Sequence, residues 1–270
     1  MVRIEKQGAV WTIIHSRFEA ARNAMDPESA DALVDAFKAF DADESASVAV
    51  LWGEGGAFCA GWDLKFASTL SDRVAFQRDV VDGLAFPVGA NAAPRGPMGP
   101  TRLELSKPVI AAVEGPAVAG GMELALWCDI RVMASDAYFG VYCRRWGIPL
   151  LDGGSVRMAR LVGQGRAMEI ILTGRKVTAD EALRIGLCEQ LVDSGGAREA
   201  AETMARTIAR FPQAAVRTDR RSVLETHGAP LREALRREWA NGVEAHFKEG
   251  AAGAARFASG LGRHGDFEKI

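Results

Sequence analysis

The sequence predicts an α/β fold, and three observations carry that prediction. Short apolar runs, Val10 to His15, Val48 to Trp52, Val109 to Val113 and Ile130 to Met133, alternate with stretches of helical periodicity. Two of those runs lead into glycine-rich turns, Gly53 to Gly61 and Gly115 to Gly121, before the next helical pattern. Beyond about residue 197 the chain turns helical, in segments rich in Ala, Arg and Glu.

The elements follow in order. Met1 to Lys6 holds no apolar core of signal-peptide length and runs straight into a strand. Asp26-Pro27-Glu28 starts a helix, with Asp26 as N-cap and Pro27 in the first helical position, and Leu33, Val34, Phe37 and Phe40 continue at helical spacing. Val109 to Val113 is apolar throughout, as a strand covered on both faces would be. Gly120 and Gly121 then allow a sharp turn and a close ligand approach, and Met122 to Trp127 reads as apolar helix. Free N–H groups at that helix start point at whatever sits in the turn. Glu123 lies one turn of chain away, as an acid/base group or as half of a buried ion pair. Residues 87–100 hold four prolines and three glycines, which suits a surface loop and equally a flap walling a pocket. The segments Glu199 to Ala209 and Leu231 to Ala255 close the chain as helices. Periodicity alone leaves a doubly wound sheet open as the arrangement of these pieces.

Composition narrows the function classes. A chain of 270 residues is near the upper limit for one core, so one large domain, residues 1–196, with an appended subdomain, 197–270, is the expected organisation. The net charge of −2 gives no reason to invoke nucleic acid or an anionic membrane. No uninterrupted apolar stretch reaches membrane-spanning length. Cys59, Cys128, Cys143 and Cys188 lack paired spacing and the four histidines are scattered, so no metal site is expected, and reduced thiols fit a cytoplasmic protein.

Two segments, Gly53-Glu54-Gly55-Gly56-Ala57-Phe58-Cys59-Ala60-Gly61-Trp62-Asp63-Leu64-Lys65 and Lys107 to Leu126, together resemble the crotonase (enoyl-CoA hydratase/isomerase) superfamily. The likeness continues through Cys128-Asp129-Ile130-Arg131, Ala137 to Gly140, Gly153-Gly154, Arg160 to Gly163, Ala167 to Arg175 and Glu181 to Leu187. It spans most of residues 10–195, in order. The resemblance implies a right-handed spiral of ββα turns, with C-terminal helices that build a trimer, often stacked as a hexamer, and cover the coenzyme A. It implies an acyl-CoA substrate, coenzyme A being carried as part of that substrate and no other cofactor being needed.

Residue by residue, the resemblance makes the backbone N–H groups of Trp62 and Gly120 the two oxyanion donors. Proton removal alpha to a thioester, or addition at its beta carbon, charges the carbonyl oxygen. Each preorganised donor there is worth roughly 3–4 kcal/mol of barrier. Glu123 occupies the position of the first of two glutamates used by hydratases of the family. At the second the chain departs: Phe139-Gly140-Val141-Tyr142-Cys143 replaces Phe-Gly-x-Pro-Glu. A thiol has one weak donor and an ordinary pKa of about 8.5, so it activates water poorly. Hydration with water held between two carboxylates is therefore in doubt.

Asp152 lies close to where some relatives place a catalytic aspartate, and equally suits a helix N-cap. Cys143 is a candidate nucleophile or a pocket-lining thiol, and Tyr142 a hydrogen-bond donor to substrate or a packing residue. Arg144-Arg145 suits a solvated or subunit-contact pair. Ala60 and Gly121, in the two turns, are candidate substrate contacts. Arg22, Lys65, Lys248 and Arg263 are candidate contacts for the coenzyme A phosphates, and Asp63 is a ligand contact or a helix cap.

Overall fold

The computed structural model describes residues 1–70, 72–89 and 93–265. Its main sheet has the order β1-β2-β3-β4-β6-β9. The first hairpin is antiparallel, β1 (Val2–Gln7) against β2 (Val10–His15); β3 (Val48–Gly53), β4 (Val109–Val113), β6 (Ile130–Ala134) and β9 (Gln190–Val192) follow in parallel. A second sheet holds β5 (Pro116–Val118), β7 (Tyr138–Gly140) and β8 (Lys176–Thr178). Cys59 extends that sheet by a parallel bridge to Ala117.

The chain therefore repeats one move. It leaves a strand of the large sheet, crosses to the small one and returns through helix: β3 to Cys59 and helix Leu64–Thr69, β4 to β5 and helix Gly120–Trp127, β6 to β7 and helix Gly154–Val162. The all-apolar β4 is buried at every residue because strands flank it on both edges and elements cover both faces. Asp26 caps helix Pro27–Ala42 as its sequence dictates, its side chain accepting from the Ser29 N–H at 2.9 Å. That helix sends Phe37 and Phe40 into the core, Phe40 meeting Trp11 of β2 at 5.9 Å between ring centroids.

Two features differ from the sequence expectation. Helix Ala197–Ala209 lies on the main sheet, with Ala197, Ala201 and Ala205 forming a buried small-residue stripe against it, so the core continues past residue 196. Helical structure over Arg73–Phe76 and the π-helical stretch Gln77–Asp82 was not anticipated. Its apolar residues face a cavity rather than the core, and several stay partly exposed.

Helices Gln213–Thr226 and Leu231–Ala245 form a hairpin continued by a π-helical turn, His246–Gly250, and helix Ala251–Ala258. Arg220 ties this arm to the core through Asp129 at 2.9 Å and the Leu105 carbonyl at 2.6 Å. Val223, Leu235, Trp239, Phe247 and Phe257 remain exposed on it.

Candidate active site

Two backbone segments meet at one end of a cavity of about 370 Å³. The first is Ala60-Gly61-Trp62. It is held by a strand-like bridge to Met25, in which the Met25 N–H donates to the Gly61 carbonyl (2.7 Å) and the Asp63 N–H to the Met25 carbonyl (2.8 Å). The second is the turn from β5 into helix Gly120–Trp127. Gly61 has φ +93°, and a Cβ there would lie 2.9 Å from Ala119 Cβ and 3.2 Å from Gly120 N. Only glycine lets the segments approach so closely. Among the described residues, neither the Trp62 nor the Gly120 N–H donates to a protein acceptor. Both residues line the cavity.

The conformational strain at this turn sits one residue earlier than expected. Gly120 does not have positive φ. Ala119 does, at φ +53° and ψ −126°, fixed by its N–H donating to the Gly140 carbonyl at 2.8 Å. A Cβ on Gly120 would run into the Met98 side chain, and one on Gly121 into the Cys59 carbonyl. Gly121 is therefore needed for helix-to-chain packing.

Glu123 projects from the first turn of this helix and is 2 % exposed. Its Oε1 accepts from the backbone N–H groups of Asp152 (2.9 Å) and Gly154 (2.8 Å), at the start of helix Gly154–Val162. The structure gives it no ion-pair partner, so the buried-pair alternative fails. Burial lifts its pKa to about 7, and the charge of Asp152 adds to the rise.

Asp152 is 4 % exposed and also lines the cavity. It does not cap the following helix, because Gly153, left-handed at φ +90°, takes that position. The Asp152 Oδ1 instead accepts from the Met98 N–H (2.9 Å) and the Thr101 hydroxyl. Arg157 ties the same two segments from outside, donating to the carbonyls of Asp152 and Thr101, both at 2.7 Å. Burial raises the Asp152 pKa. Thr101, Met98 and Arg157 were missed in the sequence, since no local pattern links residues fifty positions apart.

Cys143 and Tyr142 line the cavity in the 3₁₀ turn Tyr142–Trp146. Burial and then the Glu123 charge raise the Cys143 thiol pKa, which keeps it neutral. Tyr142 packs on Gly140, with the Arg145 guanidinium 4.0 Å above its ring. The loop expected to wall a pocket does so at Pro97 and Met98, next to a tight turn in which Gly96 and Gly99 exchange backbone hydrogen bonds; positions 90–92 lie outside the described residues.

The expected coenzyme A contacts are dispersed. Arg22 is exposed, and its backbone carbonyl accepts from the Ala60 N–H at 3.2 Å. Lys65 and Lys248 are exposed and away from the cavity lining. Arg263 folds onto the carbonyls of Phe257 and Ala258. Asp63 caps helix Leu64–Thr69 through the N–H groups of Lys65 and Phe66 and pairs with Arg17 at 3.1 Å, so its side chain serves the chain itself.

The comparisons with known proteins bear on this geometry. The model of the enoyl-CoA hydratase/isomerase family matches residues 5–85 and 101–258, leaving out the segment that carries Pro97 and Met98. The chain is 35 % identical over 248 residues to the enoyl-CoA hydratase EchA19 of Mycobacterium tuberculosis, covering 92 % of this chain and 89 % of that one. It is 36 % identical over 237 residues to a probable enoyl-CoA hydratase of Rhizobium meliloti, covering 87 % and 85 %. A solved enoyl-CoA hydratase of Mycobacterium tuberculosis superposes with a TM-score of 0.83 at 32 % identity, covering 96 % of this chain and 95 % of that one. The structure of EchA1 from Mycobacterium marinum gives 0.82 at 33 %, with the same coverage. The two-sheet spiral is thus the fold of these hydratases.

Proposed function

The chain belongs to the enoyl-CoA hydratase/isomerase family, and from that premise we propose that it forms an enolate on an acyl-CoA thioester, with Glu123 as the acid/base. The observation that carries this reading is the placement of Glu123. A buried carboxylate titrating at about 7 stands one helical turn from two unpaired N–H donors, on the wall of a mostly apolar cavity.

In this reading the thioester oxygen accepts from Trp62 N–H and Gly120 N–H. The Glu123 carboxylate takes the alpha proton, and the electron pair moves onto the oxygen held by the two donors. Glu123 then returns the proton, to the alpha carbon or to the gamma carbon, and the second course shifts a double bond. Hydration additionally needs a base for water. The neutral thiol of Cys143 cannot supply one, and Asp152 has its Oδ1 taken up by Met98 and Thr101. We therefore place proton transfer and double-bond isomerisation ahead of hydration.

The exposed apolar residues of the C-terminal arm support self-association as a trimer or hexamer. Among the described residues no helix is long and apolar enough to cross a membrane, which suits a cytoplasmic role in fatty-acid metabolism.

The test is incubation with crotonyl-CoA and with a 3-enoyl-CoA in D₂O, followed by mass spectrometry. Exchange of the alpha proton and conversion of the 3-enoyl to the 2-enoyl thioester are expected. Micromolar binding of both thioesters without exchange would make the protein an acyl-CoA binder.

A further inference from the structure

We infer that the acyl group taken by this site is an unsubstituted hydrocarbon chain of about ten carbons. The inference rests on the acyl-CoA reading above and concerns the far end of the same cavity.

The cavity is chemically divided. Its polar groups, the Trp62 and Gly120 N–H donors with Glu123, Asp152 and the Cys143 thiol, belong to segments that meet at one end. The remainder is walled by Phe76, Val80, Val81 and Leu84 from the helical stretch after residue 72, facing Ile148 and Leu151. Arg102 is the one cation among the described lining residues, and its N–H groups are already spent on protein carbonyls. It donates to Leu84 at 2.8 Å, to Arg95 at 3.5 Å and to Leu151 at 3.4 Å. A hydroxyl or carboxylate on the acyl tail would leave water there without a partner.

The walls are also unfinished. Phe76 and Val81 are each 38 % exposed and Leu151 57 %, although all three border the cavity. A hydrocarbon tail lying between them would cover this surface. One water takes roughly 30 Å³ in the liquid, and a methylene is of similar size, so about 370 Å³ holds about a dozen heavy atoms. Three of these are the sulfur, carbon and oxygen of the thioester. About nine carbons remain beyond the carbonyl. A four-carbon acyl group would leave most of the apolar wall bare.

The experiment is calorimetric titration of the full chain with butanoyl-, hexanoyl-, octanoyl-, decanoyl-, dodecanoyl- and hexadecanoyl-CoA, and with 10-hydroxydecanoyl-CoA. Kd is expected to fall by up to roughly fourfold per added methylene, the share of one buried CH₂, and to level off near ten carbons. The hydroxylated chain is expected to bind at least about tenfold more weakly than decanoyl-CoA. Val81→Trp fills the wall at a partly exposed position, so it should weaken decanoyl-CoA at least about tenfold and butanoyl-CoA much less. A flat series, a tightest Kd at four carbons, or equal binding of the hydroxylated chain would each overturn the inference. Alpha-proton exchange of butanoyl-CoA in D₂O reads the chemistry separately. Lost exchange with the chain-length slope intact would sink only the catalytic reading, and exchange with a flat slope only this one.

Discussion

Glu123 and Asp152 are bound to one another through backbone rather than through their carboxylates. The Asp152 N–H donates to Glu123 Oε1 at 2.9 Å, while the Asp152 side chain turns to Met98 and Thr101. One residue therefore positions the other with its main chain and raises its pKa with its side-chain charge. The two effects are separable by mutation.

Glu123→Gln keeps the oxygen that accepts from residues 152 and 154 and removes the titrating group. Alpha-proton exchange in D₂O should fall about 10²–10⁴-fold, the usual share of a general acid/base, with acyl-CoA affinity retained. An unchanged exchange rate removes Glu123 from the mechanism.

The ionised form is the base, so exchange should rise with pH through about 7 in the wild type. Asp152→Asn keeps an oxygen for Met98 and Thr101 but removes the negative charge that helps hold Glu123 protonated. The acidic limb of the pH–rate profile should move to lower pH. A limb that stays in place means that Asp152 does not act on Glu123 through its charge.

The same raised pKa has a stability consequence. The folded state binds the Glu123 proton up to about pH 7, whereas an unfolded glutamate releases it near 4.5. Stability contributed by the neutral form is therefore complete below about 4.5 and lost as the pH rises to about 7, amounting to about 3 kcal/mol at most. Glu123→Gln should raise Tm at pH 8 and change it little at pH 4.5. Equal shifts at both values would argue against a buried, titrating Glu123.

The two glycines of the turn should respond differently. Gly120→Val meets the flexible Met98 side chain, so the fold should survive with a modest loss of Tm while Met98 is driven across the donor site and exchange disappears. Gly121→Val meets the Cys59 carbonyl, a backbone atom that cannot swing aside, and should yield no folded protein. Circular dichroism melts of both variants, with exchange measured on Gly120→Val, decide the matter. A fully active Gly120→Val would move the donors elsewhere.

Cys143→Glu supplies a second carboxylate on the cavity wall that already holds Glu123. Crotonyl-CoA hydration should appear or rise, by a modest factor because Tyr142 leaves the backbone of this turn differently directed from the family's proline. Wild-type hydration already on the order of 10 per second or faster would mean that a group other than Cys143 activates the water.

The legible parts of this chain were those written locally. Val109 to Val113 is apolar without interruption, and Asp26-Pro27 can hardly be anything but a helix start; both stand where the sequence puts them. Glu123 was legible because two glycines and an apolar helix frame it. Its partners were not, since the N–H groups of Asp152 and Gly154 carry no side-chain signature and lie about thirty residues away. Asp152 reads equally well as a cap until Gly153 is seen to take that place. The exposed Arg22, Lys65, Lys248 and Arg263 show the opposite limit: a cation's type and number say nothing of which way a long side chain runs.

Ala119 holds a backbone conformation that glycine would adopt freely, at a cost of about 1–3 kcal/mol. A side chain there also stiffens the one peptide that aims the Gly120 N–H, whereas glycine would let it swing. Selection for heat resistance and selection for turnover would accordingly pull this position in opposite directions, the first towards glycine and the second towards alanine.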